Sequence, residues 1–191
     1  MKKQNENGFS NVTKTYLAEF YRILDEMIAG MTGAALTDSI SHDFIVQMIP
    51  HHRAAIEMSQ NILRYTTNIP LQEIAENIIK EQTQSIADMQ AALANCGKFV
   101  NSETELSLFE RGMDHIMQTM FSDMENARTA NSVDCDFMWE MIPHHRGAVE
   151  MSELVLHYDI CPELKPIVRA ILTSQTRGIR QMQQLLRRLG C

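Results

Sequence analysis

The sequence predicts an all-α fold, and three observations support this prediction. Only 8 Gly and 5 Pro occur in 191 residues, so few tight turns are available to connect the strands of a β-rich fold. Methionine, a good helix former, occurs 14 times and outnumbers Phe, Tyr and Trp together (7, 4 and 1). Apolar residues also recur at helical spacing along the chain, as in Phe20, Leu24, Met27 and Met31.

A long segment of the sequence occurs twice. MIPHHRAAIEMS (48–59) returns as MIPHHRGAVEMS (141–152), at an offset of 93 positions. The same offset pairs Asp43 with Asp136 and Gln82 with Gln175. We therefore expect a single domain over 1–191, built from an internal duplication. Its two repeats cover about 12–97 and about 105–190.

Each repeat is predicted to contain three helices. Their ranges are about 12–31, 42–66 and 70–96 in the first repeat, and about 103–127, 134–158 and 162–189 in the second. Polar residues that cap a helix precede the second helix of each repeat. Proline opens the third helix and glycine follows it, which is the usual asymmetry of helix ends. The short turns before each third helix predict that it packs antiparallel to the second.

The duplicated motif places histidine and methionine on one face of the second helix. At about 100° per residue, Met48 lies one turn before His51 and His52 and between them, while Met58 lies on the His51 flank. Imidazole binds Cu, Zn, Fe and Ni, and a thioether selects for Cu(I). The motif therefore predicts a transition-metal site, with Cu(I) as the first choice. The imidazole and thioether groups on or beside this face belong to Met48, His51, His52, Met58, Met141, His144, His145 and Met151.

A structural interpretation of the same residues stays open. Methionines at helical spacing commonly fill a core, and buried histidines are commonly held by hydrogen bonds. The alternative is a structural or protein-interaction bundle whose core histidines bind no metal. His42, His115 and His157 are not duplicated, so we expect them at the surface. Gln82 and Gln175 point inward and are interpreted as hydrogen-bonded core residues.

Other functions lack the residues that they need. A net charge of −7 without a basic cluster argues against binding to nucleic acid. The chain contains no E-x-x-H, H-E-x-x-H or G-x-S-x-G motif and no phosphate-binding glycine loop, and its duplicated motif offers no inward carboxylate. We therefore predict no enzymatic activity. No apolar run of about 18 residues is present, so no membrane span is expected.

The cysteines and the N-terminus bear on the compartment. Cys96, Cys135, Cys161 and Cys191 are far apart and form no C-x-x-C, which predicts neither a zinc knuckle nor a disulfide framework. The segment MKKQNENGFSNVTKTYL has no apolar stretch of the kind that a signal peptide contains. These features predict a cytoplasmic protein. Its expected partners are a metal ion and, as an open question, a second subunit.

The duplicated motif also carries a family resemblance. The twin F-x-x-x-M-I-x-H-H-x-x-A-[IV]-x-M segments, each followed by Q-x-x-x-I-x-x-M, resemble the bacterial family called domain of unknown function number three hundred and five. The resemblance implies a ferritin-like four-helix bundle in which the His-bearing and Gln-bearing helices pair about a pseudo-twofold axis. Some members are linked to copper binding and tolerance, mostly outside the cytoplasm. The resemblance therefore implies metal storage, buffering or tolerance, with these eight histidines and methionines as the candidate ligands. Ser85 and Gly178 stand where the family usually has an acidic residue.

Overall fold

The computed structural model describes residues 8–191, and this part of the chain is all-α, as predicted. Its helices are α1 (Asn11–Thr32), α2 (Ile40–Leu63), α3 (Ile69–Cys96), α4 (Glu103–Glu125), α5 (Val133–Val155) and α6 (Leu164–Leu189). Both α2 and α5 end a few residues earlier than the sequence predicts. The first seven residues of the N-terminal segment used for the signal-peptide prediction lie outside the described residues. No helix between residues 8 and 191 is long and apolar enough to cross a membrane.

Local sequence sets the ends of the helices. The side chains of Ser39 and Asn68 accept hydrogen bonds from backbone N–H groups in the first turns of α2 and α3. Ser102 and Glu105 form a reciprocal capping box at the start of α4. Gly190 ends α6 with φ of 73°, a left-handed conformation that glycine adopts without a Cβ clash.

The helices pack as two similar halves. In each half the second and third helices pack side by side across a short connection, α2 with α3 and α5 with α6. The halves meet through α2 with α5 and through α3 with α6, while α1 packs on α2 and α4 packs on α5. The buried apolar residues form one cluster that includes every methionine of residues 8–191. The motif-bearing helices α2 and α5 are therefore covered on more than one face.

Residues 93 positions apart make matching contacts at the start of α2 and α5. Asp43 Oδ1 accepts a hydrogen bond from the backbone N–H of Thr37 at 2.8 Å. Asp136 Oδ1 accepts one from the backbone N–H of Ala130 at 2.6 Å. Both carboxylates tie the preceding loop to the first turn of the helix. The histidine pairs that follow therefore begin from equivalent positions in the two halves.

The prediction that the cysteines form no disulfide framework is wrong. Cys96 at the end of α3 is bonded to Cys161 just before α6, and Cys135 in α5 is bonded to Cys191. The partners are 65 and 56 residues apart in sequence. Sequence spacing carries little information about pairs that only helix packing brings together. None of the cysteines is free.

Candidate metal centre

The two histidine pairs meet in the core where α2 contacts α5. The imidazole rings of His51 and His144 are stacked, with centroids 3.6 Å apart and an interplanar angle of 27°. His52 lies 5.9 Å from His51, and His145 lies 5.8 Å from His144, measured between ring centroids. All four side chains are buried. The structure therefore brings together four of the eight predicted ligands.

Hydrogen bonds fix the tautomer of the stacked pair. Nε2 of His51 donates to the backbone carbonyl of His144, and Nε2 of His144 donates to that of His51, both at 3.1 Å. A carbonyl oxygen only accepts, so the proton of each neutral ring lies on Nε2 and Nδ1 keeps a lone pair. The Nδ1 atoms of His51, His52 and His144 are buried and have no hydrogen-bond partner among the described residues. Nδ1 of His51 and Nδ1 of His144 therefore each carry a lone pair that accepts no hydrogen bond from the described residues.

Burial keeps the four imidazoles neutral. Desolvation lowers the pKa of His52 to about 3 and that of His144 to about 4. Desolvation, reinforced by the neighbouring imidazoles, lowers the pKa values of His51 and His145 well below the usual 6.5. Neutral imidazole is the form that binds a metal ion. At neutral pH the site is therefore already in its ligating protonation state.

The four candidate methionines are buried on the same two helices. Met48 and Met141 lie one helical turn before the histidines of their own helix. Met58 and Met151 lie seven positions after His51 and His144, a rise of about 10 Å along the axis. Met48 and Met141 are therefore the candidate thioethers nearest to the histidines along each helix.

Histidine, cysteine and carboxylate side chains do not by themselves form a metal site within residues 8–191. No group of three or more His, Cys, Asp or Glu side chains lies in an arrangement that could hold a metal ion in this part of the chain. A metal site in the core would therefore combine one or two imidazoles with ligands of another type. Thioethers one turn away are such ligands, and they favour a soft ion.

A buried carboxylate lies directly before the second copy of the motif. Glu140, directly before Met141, is 2% exposed, and its Oε2 accepts a hydrogen bond from the Tyr16 hydroxyl at 2.6 Å. Burial raises the pKa of this carboxyl well above its usual range. Glu140 lies one helical turn before His144, and its carboxylate is buried because α1 contacts α5 at this point. The unequal pair Gln47 and Glu140 at equivalent positions was the available signal.

The buried glutamines also differ from the prediction. Gln82 and Gln175 are buried, as expected. However, neither amide atom of Gln82 has a hydrogen-bond partner among the described residues, and Oε1 of Gln175 also lacks one. The expected hydrogen bonds are therefore absent among the described residues for the Gln82 amide and for Oε1 of Gln175.

The matched family covers the helices that carry these residues. Residues 41–186 match the family described as Domain of unknown function (DUF305). The chain belongs to the DUF305 family. The match includes both histidine pairs and both buried glutamines, so the predicted family resemblance is confirmed.

Solved structures resemble this DUF305 protein over about four fifths of its length. CopM in the Ag-bound form is 27% identical with a TM-score of 0.59, covering 80% of this chain and 98% of that chain. CopM in the Cu(I)-bound form is 26% identical with a TM-score of 0.58, covering 81% and 99%. A DUF305 fragment from Deinococcus radiodurans is 24% identical with a TM-score of 0.58, covering 81% and 98%, and shows the shared fold. No curated protein matches this chain.

Proposed function

We propose that this protein binds Cu(I) through core imidazoles and thioethers and acts in metal storage, buffering or tolerance. The proposal rests on the buried Nδ1 atoms of the neutral core histidines, which have no hydrogen-bond partner among the described residues. An unsatisfied buried polar atom costs about 1–3 kcal/mol, and a bound ion would remove that cost. His51 and His144 supply the lone pairs best defined by geometry, because their Nε2 atoms are already committed to carbonyl groups.

The other candidate ligands complete a soft donor set. Met48 and Met141 contribute sulfur one turn from the histidines, and thioether sulfur favours Cu(I) over harder ions. His52, His145, Met58 and Met151 are the remaining members of the proposed set. Another transition metal that accepts imidazole is the second choice for the ion.

Structural relatives support copper as the ion class. CopM has been solved in Ag-bound, Cu(I)-bound and Cu(II)-bound forms. Its identity to this chain in these forms is 26–28%. We further propose that α2, α3, α5 and α6 are a ferritin-like four-helix bundle that arose by duplication, with α1 and α4 as accessory helices.

An anaerobic Cu(I) titration against a chromophoric competitor tests the proposed binding. The wild type is expected to bind one or two ions at sub-nanomolar strength. Replacing His51, His52, His144 and His145 together with Gln is expected to abolish binding while the helical circular dichroism persists. The matched control replaces the exposed His115 and His157 with Gln and keeps the affinity. Unchanged affinity in the quadruple variant would overturn the proposal.

One observation favours the structural alternative. The reciprocal hydrogen bonds of His51 and His144 join α2 to α5 without any metal. If bridging the helices is their whole role, the quadruple variant loses stability and added Cu(I) changes the melting temperature of neither protein. The same titration, with melting curves recorded alongside, decides between the two functions.

The disulfides bear on the compartment. We propose that the protein matures in an oxidising compartment, because two disulfides persist where thiols are not kept reduced. The N-terminal segment gave the opposite expectation of a cytoplasmic protein. Alkylation of free thiols in protein taken directly from cells, followed by mass spectrometry, tests this proposal. No alkylation supports it, and four alkylated cysteines would favour the cytoplasm.

A further inference from the structure

The outer histidines of the two pairs face different neighbours. His52 Nε2 lies 3.1 Å from the hydroxyl oxygen of Ser85 on α3. The equivalent position on α6 is Gly178, where a Cβ would lie 2.9 Å from His145 Cδ2 and 3.0 Å from His145 Nε2. The His145 ring therefore packs directly against the backbone of α6. Because glycine has no side chain, no hydroxyl covers the ring edge from this position.

A small cavity opens between α3 and α6 beside the His145 ring. Its volume is about 10 Å³, and its lining includes His145, Gly178, Gln82 and Gln175. A cavity of this size accommodates about one water molecule or one ion. Neither His52 nor Ser85 lines it. Only the histidine pair of the second repeat is therefore reached from this cavity.

Two buried amides in the lining lack partners. Gln82 is 3% exposed and Gln175 is 2% exposed, and the Oε1 atoms of both have no hydrogen-bond partner among residues 8–191. Buried polar groups are nearly always satisfied in native proteins, so each exception needs an explanation. A cation or a hydrated cation in the cavity would satisfy both oxygens.

An ion pair lies at the mouth of the cavity. Arg177 Nη2 on α6 contacts Glu81 Oε1 on α3, and both residues line the cavity. The side chains are 49% and 38% exposed, and exposed ion pairs of this kind are weak. When the pair separates, the Glu81 carboxylate remains at the mouth, where it attracts cations.

We propose that this cavity is the port through which a metal ion reaches the core histidines. His145 Nε2 is the first imidazole that the ion meets, and the amide oxygens of Gln82 and Gln175 replace part of its hydration shell on the way. This inference rests on the proposed metal binding and specifies the route by which the ion enters the core. Entry occurs at the second repeat because Ser85 covers the corresponding ring of His52 in the first.

The rate of Ag(I) association with the metal-free full chain tests the port. Ag(I) is a soft ion, and no cysteine is free to capture it. Fluorescence of Trp139, the single tryptophan, reports binding from the helix that carries His144 and His145. Gly178→Ser places a side chain against His145 and is expected to slow association about tenfold or more, as when binding must await a conformational change. Equal rates for this variant and the wild type would overturn the port.

Two further variants keep the test decisive if Gly178→Ser does not fold. Ser85→Gly adds no atoms and uncovers His52, so association is expected to become faster. Arg177→Gln leaves Glu81 unpaired at the mouth and is expected to speed association at low ionic strength, with the gain lost in high salt. Unchanged rates in both variants would also overturn the port.

Equilibrium and metal-free measurements separate this inference from the proposed function. Absence of Ag(I) and Cu(I) binding by the wild type would refute metal binding itself. Tight binding with equal association rates would refute the port alone. Without metal, hydrogen–deuterium exchange at the imidazole Cε1 is expected to be faster for His145 than for His52, and Gly178→Ser is expected to remove the difference. Equal exchange of the two rings in the wild type would contradict the open side.

Discussion

Acidification should destabilise the metal-free protein through its buried histidines, and His52 gives the clearest case. Burial lowers the pKa of His52 to about 3 in the folded state, whereas the usual value is 6.5. Between these values the unfolded chain takes up a proton that the folded protein excludes. This contribution to stability is therefore fully present above pH 6.5 and is lost as the pH falls toward 3. Each pH unit in this interval costs about 1.4 kcal/mol.

The expected magnitude is large enough to measure. From pH 7 to pH 4, His52 alone should lower the free energy of unfolding by about 3 kcal/mol. A domain of this kind has about 5–15 kcal/mol in total. Glu140 acts in the opposite direction, because burial raises its pKa and its contribution is present at low pH and lost as the pH rises. The net acid sensitivity of the wild type therefore understates the histidine effect.

Comparison with His52→Gln isolates the histidine term, because the carboxyl contributions are common to both proteins. Gln keeps a polar group near the Ser85 hydroxyl but does not titrate. Urea unfolding followed by circular dichroism, with a chelator present, gives the free energy of unfolding at each pH between 7 and 4. We expect the variant to lose about 3 kcal/mol less than the wild type over this range. Replacement of the exposed His157 with Gln is the control and should leave the wild-type slope. Parallel curves for wild type and His52→Gln would refute the reasoning.

Three further perturbations follow from individual contacts, each read as the free energy of unfolding in urea. Tyr16→Phe removes the hydroxyl that donates a hydrogen bond to Glu140 at 2.6 Å, and should lower the free energy of unfolding by about 1–3 kcal/mol. An unchanged free energy of unfolding would contradict the buried hydrogen bond. Replacing Cys96 and Cys161 with Ala opens a loop of 65 residues and should lower the free energy of unfolding by about 4 kcal/mol. Equal stability of the reduced and the oxidised wild type would contradict this disulfide. Gly147→Ala places a Cβ 2.8 Å from Met120 Cγ and should cost about 1–3 kcal/mol, so an unchanged value would disprove the close packing of α4 on α5.

Much of the candidate site follows from local sequence. The positions of the helices follow from apolar spacing and from caps such as Ser39 and Asn68, because these signals act within a few residues. The duplicated motif likewise places His51 and His144 on the inward faces of α2 and α5, since helical periodicity alone fixes that side. Their burial agrees with this prediction.

Only the tertiary structure decided which of these groups meet. The stacking of His51 on His144, the bond between Cys96 and Cys161 and the burial of Glu140 each join segments distant in the sequence. Helical periodicity gives the direction of a side chain but not its partner, which depends on how the helices pack. The same limit explains the unpartnered amide of Gln82, because hydrogen-bond satisfaction in a core is a property of facing surfaces and not of one helix.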